Sequence, residues 1–561
     1  MATDLTRRGF LGLAASVAGA AAVLPTPARA AGRAAAVPTV AERHRAVVIG
    51  SGYGGAIAAY RLAAAGVSSV VLERGRRWPV TPAGDTFPPF LRPDRRSSWF
   101  TPTPTYPGMP PAVYQPYAGL FEKVYGQNMN VICAAGVGGG SLVDGVMLQP
   151  DGAVFSRVMP SEVDYQELAD RYYPLARSRI GVGSIPDDVL AHERYAGTRL
   201  FLDQARRAGL PAGRIDEAVD WDVVRAELAG QAVPAASIGE YLTGINSGAR
   251  TSVDRGYLAW AEISGLATVR PLHVVTELAT DAQGRYVIRA EHIDADGHLL
   301  ERVVLTADAV FLAAGSMGTA RLLVRARDAG ALPRLNEHVG RHWGNNGLRI
   351  YLRALVPEPT GAHQGGPTSV AIMRWDDPAN PVTIEFGPAP FPLETHAMPV
   401  PGFGLCSPVG HFDYLPLTGD VRLTWSADGD RAGRQSIRDT LRQLVTATGW
   451  PPGPTPPTPP PSPQSLDGLS LDGLLSLAAA APYGLLDLNG LESYTFHPLG
   501  GAVLGRACDG YGRLAGYPGL YVVDSALIPG STGACNPALT IAALAERCLD
   551  HVVSHDVGTV F

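Results

Sequence analysis

The stretch that most restricts how this chain can fold runs from Ala46 to Glu73, AVVIGSGYGGAIAAYRLAAAGVSSVVLE. It reads as a buried strand at Ala46–Ile49, a glycine turn, an alanine-rich helix and a second apolar strand ending at Glu73. Gly50, Gly52 and Gly55 give G-x-G-x-x-G at the strand-to-helix turn. The first glycine allows the tight turn, the second lets the backbone approach a pyrophosphate, and the third lets the helix pack on the strand. The helix start adds unpaired N–H groups and the positive end of a dipole. Glu73 is spaced to accept hydrogen bonds from a ribose, and a carboxylate there disfavours a 2′-phosphate, so NADP is not expected. A glycine triplet alone is weak. With strand, helix, strand and acid in register, a dinucleotide site is favoured over a plain βαβ unit.

The chain of 561 residues is long enough for two domains, and its 46% apolar and 17% charged content is that of a globular protein. A net charge of −6 gives no reason to expect nucleic acid as a partner. Lys123 is the only lysine, which argues against Schiff-base chemistry. The five cysteines are widely spaced, with neither a CxxC nor a Cys/His cluster, so no metal site and no disulfide framework is expected. At the N-terminus, Arg7-Arg8-Gly9-Phe10-Leu11 precedes a short apolar run and an A-x-A site at Ala28-Arg29-Ala30. This has the three parts of a twin-arginine export signal over residues 1–30, so the chain is expected to be secreted.

Further on, residues 76–116 form a long aromatic and proline-rich loop region, suited to covering a cavity. A second glycine cluster, Gly136-Val137-Gly138-Gly139-Gly140-Ser141, allows another close backbone approach to a ligand. Residues 164–180 and 190–208 have helical spacing, and residues 268–307 read as a β-meander. The meander leads into a buried strand at Ala309–Ala314 and a helix. Runs at LRIYLRALV, PVTIEFGPA and DVRLTWSA suggest a second sheet. Nine of the thirteen residues from Pro451 to Pro463 are proline, and residues 451–480 read as a surface insertion. Near the end, HPLGG at His497, a strand leading to Asp524 and an Asn536-Pro537 helix start lie close together in sequence. A nucleotide fold with a late histidine and asparagine suggests a flavin enzyme acting on an alcohol.

Several stretches together resemble the class I bacterial cholesterol oxidases, the non-covalent FAD branch of the glucose–methanol–choline (GMC) oxidoreductases. They are AVVIGSGYGGAIAAYRL, GVGGGSLVDGVM, LVRARDAGALPRLNEHVG, FHPLGGAVLG, GLYVVDSALIPGS and NPALTIAALAER. The resemblance implies an α/β fold with a Rossmann-like FAD-binding domain over 41–160, 240–340 and 488–555. A discontinuous α+β substrate domain on a mixed sheet is then expected over 161–239 and 341–487.

By the same resemblance His497 bonds the substrate hydroxyl, Asn536 lies by the flavin ring, and Glu385 shuttles the isomerisation proton between steroid carbons 4 and 6. FAD contacts are expected from Gly50, Gly52, Tyr53, Gly54, Gly55, Glu73, Gly139, Gly140, Asp144, Gly145, Met147, Val275, Asp524 and Ser525. The implied activity is oxidation of a 3β-hydroxysteroid, with O2 reduced to H2O2 and the Δ5 double bond moved to Δ4. A monomer is expected, with transient contact at a membrane surface to take up sterol. Departures from the family pattern are Asp144 in place of Asn, Cys535 inserted before Asn536, and Ala538 in place of a larger aromatic. Another bulky hydrophobic alcohol, a polyketide or terpenoid, is the alternative substrate, and sterol sequestration without catalysis is the alternative class of function.

Overall fold

Strand β1, Thr39–Ile49, sits at the centre of a seven-stranded sheet, and its last four residues are fully or nearly fully buried. The computed structural model describes residues 37–448, 466, 469 and 471–561; the export signal and the proline run lie outside them. On one side β1 pairs in parallel with β2 (Ser69–Leu72), which pairs in parallel with β3 (Ala267–Arg270). Helix α1 (Tyr53–Ala64) crosses from β1 to β2 and buries its alanine face against the sheet. Gly54 and Gly55 in its first turn allow so close an approach, since a Cβ on either would meet backbone oxygen.

The meander supplies the other side. Strands β4 (His273–Thr280), β5 (Tyr286–Ile293) and β6 (Leu299–Leu312) are antiparallel, while the preceding β3 belongs to the parallel edge instead. The last strand of the meander and the buried strand expected after it are one continuous element of 14 residues. One edge of β6 pairs in parallel with β1 along its length. Its other edge is divided: Leu299–Ala307 pairs with β5, and Val310–Leu312 pairs in parallel with β7 (Leu520–Val522). Helix α2, Gly315–Asp328, follows at once, and helix α3, Ala538–Asp556, packs on α1.

A second sheet has six strands in the order 485–487, 348–353, 398–403, 382–385, 370–374 and 212–214. It is antiparallel throughout, so the mixed pairing expected of it is found in the first sheet. The helix Arg431–Ala447 covers it through Ile437, Leu441 and Leu444. DVRLTWSA does not join this sheet; Asp420–Thr424 forms a separate hairpin with His411–Leu415. A second correction concerns the insertion, because Leu471–Ala480 is a helix with Leu474 and Ala478 buried against Phe391, Ala397 and Tyr494. Its leucines sit at helical spacing, which a reading based on the adjoining prolines overlooks.

Candidate active site

One cavity of about 760 Å³ runs between the two sheets. At one end lie the two glycine turns. Gly50 has φ +97, and a Cβ there would stand 2.3 Å from the Ala313 carbonyl oxygen. A Cβ on Gly54 would stand 1.9 Å from the Val523 oxygen, and one on Gly139 only 2.8 Å from the Gly52 Cα. The two turns thus face one another with no room for side chains, leaving backbone N–H groups and the start of α1 open to the cavity. Gly55 does not line it. A Cβ on Gly55 would meet the Gly50 oxygen at 2.0 Å, so its part is to bring helix and strand together.

Glu73 ends β2 on the cavity wall. Its Oε2 accepts from the Ser51 N–H at 3.1 Å and hydroxyl at 2.6 Å, and Oε1 accepts from the Gly75 N–H at 2.8 Å. Burial nevertheless pushes its pKa above the ordinary carboxylate value, against those hydrogen bonds. A carboxylate accepts about four hydrogen bonds, so capacity remains for a ribose hydroxyl. Val275 lines the same end. Asp524 accepts from the Gly315 N–H at 2.9 Å, the Thr319 hydroxyl at 2.5 Å and the Ala526 N–H at 2.8 Å. The Ser525 hydroxyl accepts from Ser316 N–H at 2.8 Å. These bonds fasten the turn after β7 to the start of α2, and burial raises the Asp524 pKa to about 6.

His497, Glu385 and Asn536 line the cavity between the sheets. The His497 ring stacks on Phe403 at 5.5 Å between centroids, and its Nε2 lies 3.3 Å from Asp144 Oδ2. Glu385 ends a strand of the second sheet and is 2% exposed. Its pKa is raised well above the carboxylate range, first by burial and then by the charge of Asp144, against a hydrogen bond from Asn536. Three polar atoms here are buried without a hydrogen-bond partner: His497 Nδ1, Glu385 Oε1 and Asn536 Oδ1. Unpaired buried polar atoms are costly in a native protein, so their concentration in one cavity points to a bound group that is part of the working molecule. Together with the glycine cradle, they fit a dinucleotide with a reactive ring at the second-sheet end.

Asp144 also lines the cavity. Burial opposes its charge, but the hydrogen bond with His497, the charges of His497 and Arg250 and the Val146 N–H together hold its pKa below the usual value. The negative charge is therefore paired. Of the residues expected to contact FAD, Tyr53, Gly52, Gly140 and Gly145 line the cavity and Met147 does not. It is fully buried in the core, and its N–H bonds the Asp216 oxygen at 2.8 Å. The extra Cys535 is absorbed without moving Asn536 off the cavity. Ala534 takes a left-handed φ of 59°, and the Cys535 side chain joins a small core with Val146, Leu148, Ile215 and Ala371. Ala538 lines the cavity as well.

Glu217 and Arg250 also line the cavity and carry no signal in the sequence. They are 1% and 4% exposed, and Arg250 Nη1 lies 3.4 Å from Glu217 Oε2. Burial raises the Glu217 pKa well above the ordinary value despite Arg250, helped by the charges of Asp144 and Glu385. Their wide spacing, with no motif around either, left nothing to detect. Tyr106, from the aromatic loop, lies against Phe496 at 4.9 Å and closes one wall, in keeping with the expected cover.

Residues 416–545 match the model for GMC oxidoreductases and residues 346–450 that for the first part of their C-terminal region. Residues 48–108 match an NAD(P)-binding Rossmann-like domain. Curated relatives include a cholesterol oxidase of Mycobacterium tuberculosis, 28% identical over 560 residues, covering 89% of each chain. A cholesterol oxidase of Acinetobacter baumannii is 23% identical, covering 90% of this chain and 94% of that one. Among solved structures, pyridoxine 4-oxidase from Mesorbium loti superposes with a TM-score of 0.59 at 15% identity, over 91% of this chain and 99% of that one. The chain thus shares its overall fold with that oxidase.

Proposed function

We propose that this chain, read as a GMC oxidoreductase from its fold and from the match over residues 346–545, is an FAD-dependent oxidase of 3β-hydroxysteroids that also isomerises the ring double bond. The observation that carries this reading is Glu385. Oxidation of an alcohol needs no buried carboxyl of raised pKa beside His497 and Asn536, whereas moving a double bond needs a group that takes and returns a proton away from water. Similarity to two cholesterol oxidases supports the substrate class.

FAD, non-covalently bound in this reading, would supply the hydride-accepting and O2-reducing chemistry. The glycine turns and the start of α1 would hold its pyrophosphate, and Glu73 its ribose. His497 holds the substrate hydroxyl through its imidazole, with the ring fixed by Phe403 on one face and Asp144 at its edge. Glu385, in its ionised form, takes the proton from steroid carbon 4 and returns it at carbon 6. The walls supplied by Tyr106, Phe121, Phe496, Leu348 and Ile350 exclude water from that exchange.

Incubation of the purified yellow protein with cholesterol in air should release peroxide and a conjugated enone. Glu385→Gln should keep peroxide release and lose enone formation by at least about a hundredfold, on the usual scale of general-base catalysis. Enone formation at the unaltered rate would exclude Glu385 as the base. The second reading, another bulky hydrophobic alcohol such as a polyketide or terpenoid, is favoured by the buried polar pair Glu217–Arg250 on the cavity wall. Absence of peroxide with cholesterol, and its appearance with a polyketide or terpenoid alcohol, would select it. Secretion by the twin-arginine route rests on residues 6–30, and export of a reporter fused to them would test it.

A further inference from the structure

Three side chains on the meander stand in one row across its strands. His292 on β5 is the direct cross-strand partner of His273 on β4 and of Glu301 on β6. Directly opposed residues share a face of the sheet. One nitrogen or oxygen from each residue lies within 4.8 Å of those from the other two. The two imidazoles are nearly parallel, with centroids 4.3 Å apart. His273 Nδ1 lies 2.8 Å from the Pro271 carbonyl oxygen. A carbonyl only accepts, so Nδ1 carries the proton and Nε2 keeps its lone pair. His292 Nδ1 and Glu301 Oε1 are 2.9 Å apart.

We propose that His273, His292 and Glu301 form a three-ligand site for a divalent transition metal, with zinc the expected occupant. Imidazole nitrogen and carboxylate oxygen are among zinc's ligands, and three of them leave a position for water. The Pro271 carbonyl behind His273 is the outer partner that fixes the tautomer of a metal-bound histidine. Two ligand atoms at about 2.0–2.1 Å from a tetrahedral zinc lie roughly 3.3 Å apart. The His292–Glu301 contact therefore needs to open by only a few tenths of an ångström as the metal replaces the shared proton. To converge on one ion the two rings would rotate out of this stack, and a β-bulge lies between His292 and Ile293. Arg270, whose charge acts on His273, is already held by Glu42 through two hydrogen bonds.

The site would tie β4, β5 and β6 together beside the nucleotide end of the cavity. The His273 N–H bonds the Glu73 backbone oxygen at 2.9 Å, and His273 itself lines the cavity. The proposal is independent of the substrate assignment.

The test is a titration of the full-length, chelator-treated protein with Zn²⁺ against a chromophoric zinc indicator, with thermal melting alongside. Wild type should take up one tight equivalent and gain thermal stability. His292→Gln should lose that equivalent, and Glu301→Gln should bind at least about tenfold more weakly, the scale on which ligand-sphere changes act. His551→Gln, in the separate ring stack on α3, should keep it. Glu301 is half-buried, so its variant keeps the experiment decisive if His292→Gln fails to fold. No stoichiometric uptake by wild type, or an unchanged equivalent in either variant, overturns the site and leaves a stacked histidine pair with a His–Glu hydrogen bond.

Discussion

Asp144 is a single carboxylate that acts on two neighbours at once. It hydrogen-bonds His497, and its charge is the second cause, after burial, of the raised pKa of Glu385. Asp144→Asn removes the charge, so Glu385 should ionise at lower pH, and the pH profile of enone formation should shift towards acid. An unmoved profile would show that the two carboxyls do not communicate. Glu385 also has a stability signature. Its folded pKa lies above its unfolded one, so its stabilisation is complete below the unfolded value and is lost as pH rises towards the folded pKa. Glu385→Gln cannot ionise. Its stability relative to wild type should therefore rise between pH 4 and pH 7 in urea melts at the two pH values. That His497, Asn536 and Glu385 share one cavity was legible only through the surrounding motifs, since a lone histidine or strand acid says nothing of its environment. The Glu217–Arg250 pair was invisible, because burial of charge is a property of packing between distant segments.

Among the elements, the turn after β1 was legible to the residue because its constraint is local. Gly54→Ala puts a methyl 1.9 Å from the Val523 oxygen, so it should lower the melting temperature and leave the purified protein without its yellow colour at 450 nm. The second sheet was legible only as a set of strands. Its order depends on pairings such as Ala371 with Glu385 and Arg353 with Leu485, which a single segment does not encode. The helix at Leu471–Ala480 was missed because the prolines before it dominate the local composition. Leu474→Ala should destabilise by about 2–4 kcal/mol, the usual result of removing a buried leucine side chain, as measured by denaturant unfolding.

The molecule as a whole is tied together at Glu546. This fully buried carboxylate on α3 bonds Arg61 of α1 at 2.6 Å, Arg179 at 2.8 Å and the Tyr257 hydroxyl at 2.5 Å. Removing it leaves two partly buried guanidinium groups short of a partner, so Glu546→Ala should cost about 3–5 kcal/mol in chemical denaturation. The divided edge of β6 has a consequence for synthesis. Val310–Leu312 stay open on that edge until Leu520–Val522, about two hundred residues further along the chain, have been made. An emerging polypeptide can therefore close its meander early, while the wall that Val523 sets against Gly54 is completed only when this later segment arrives.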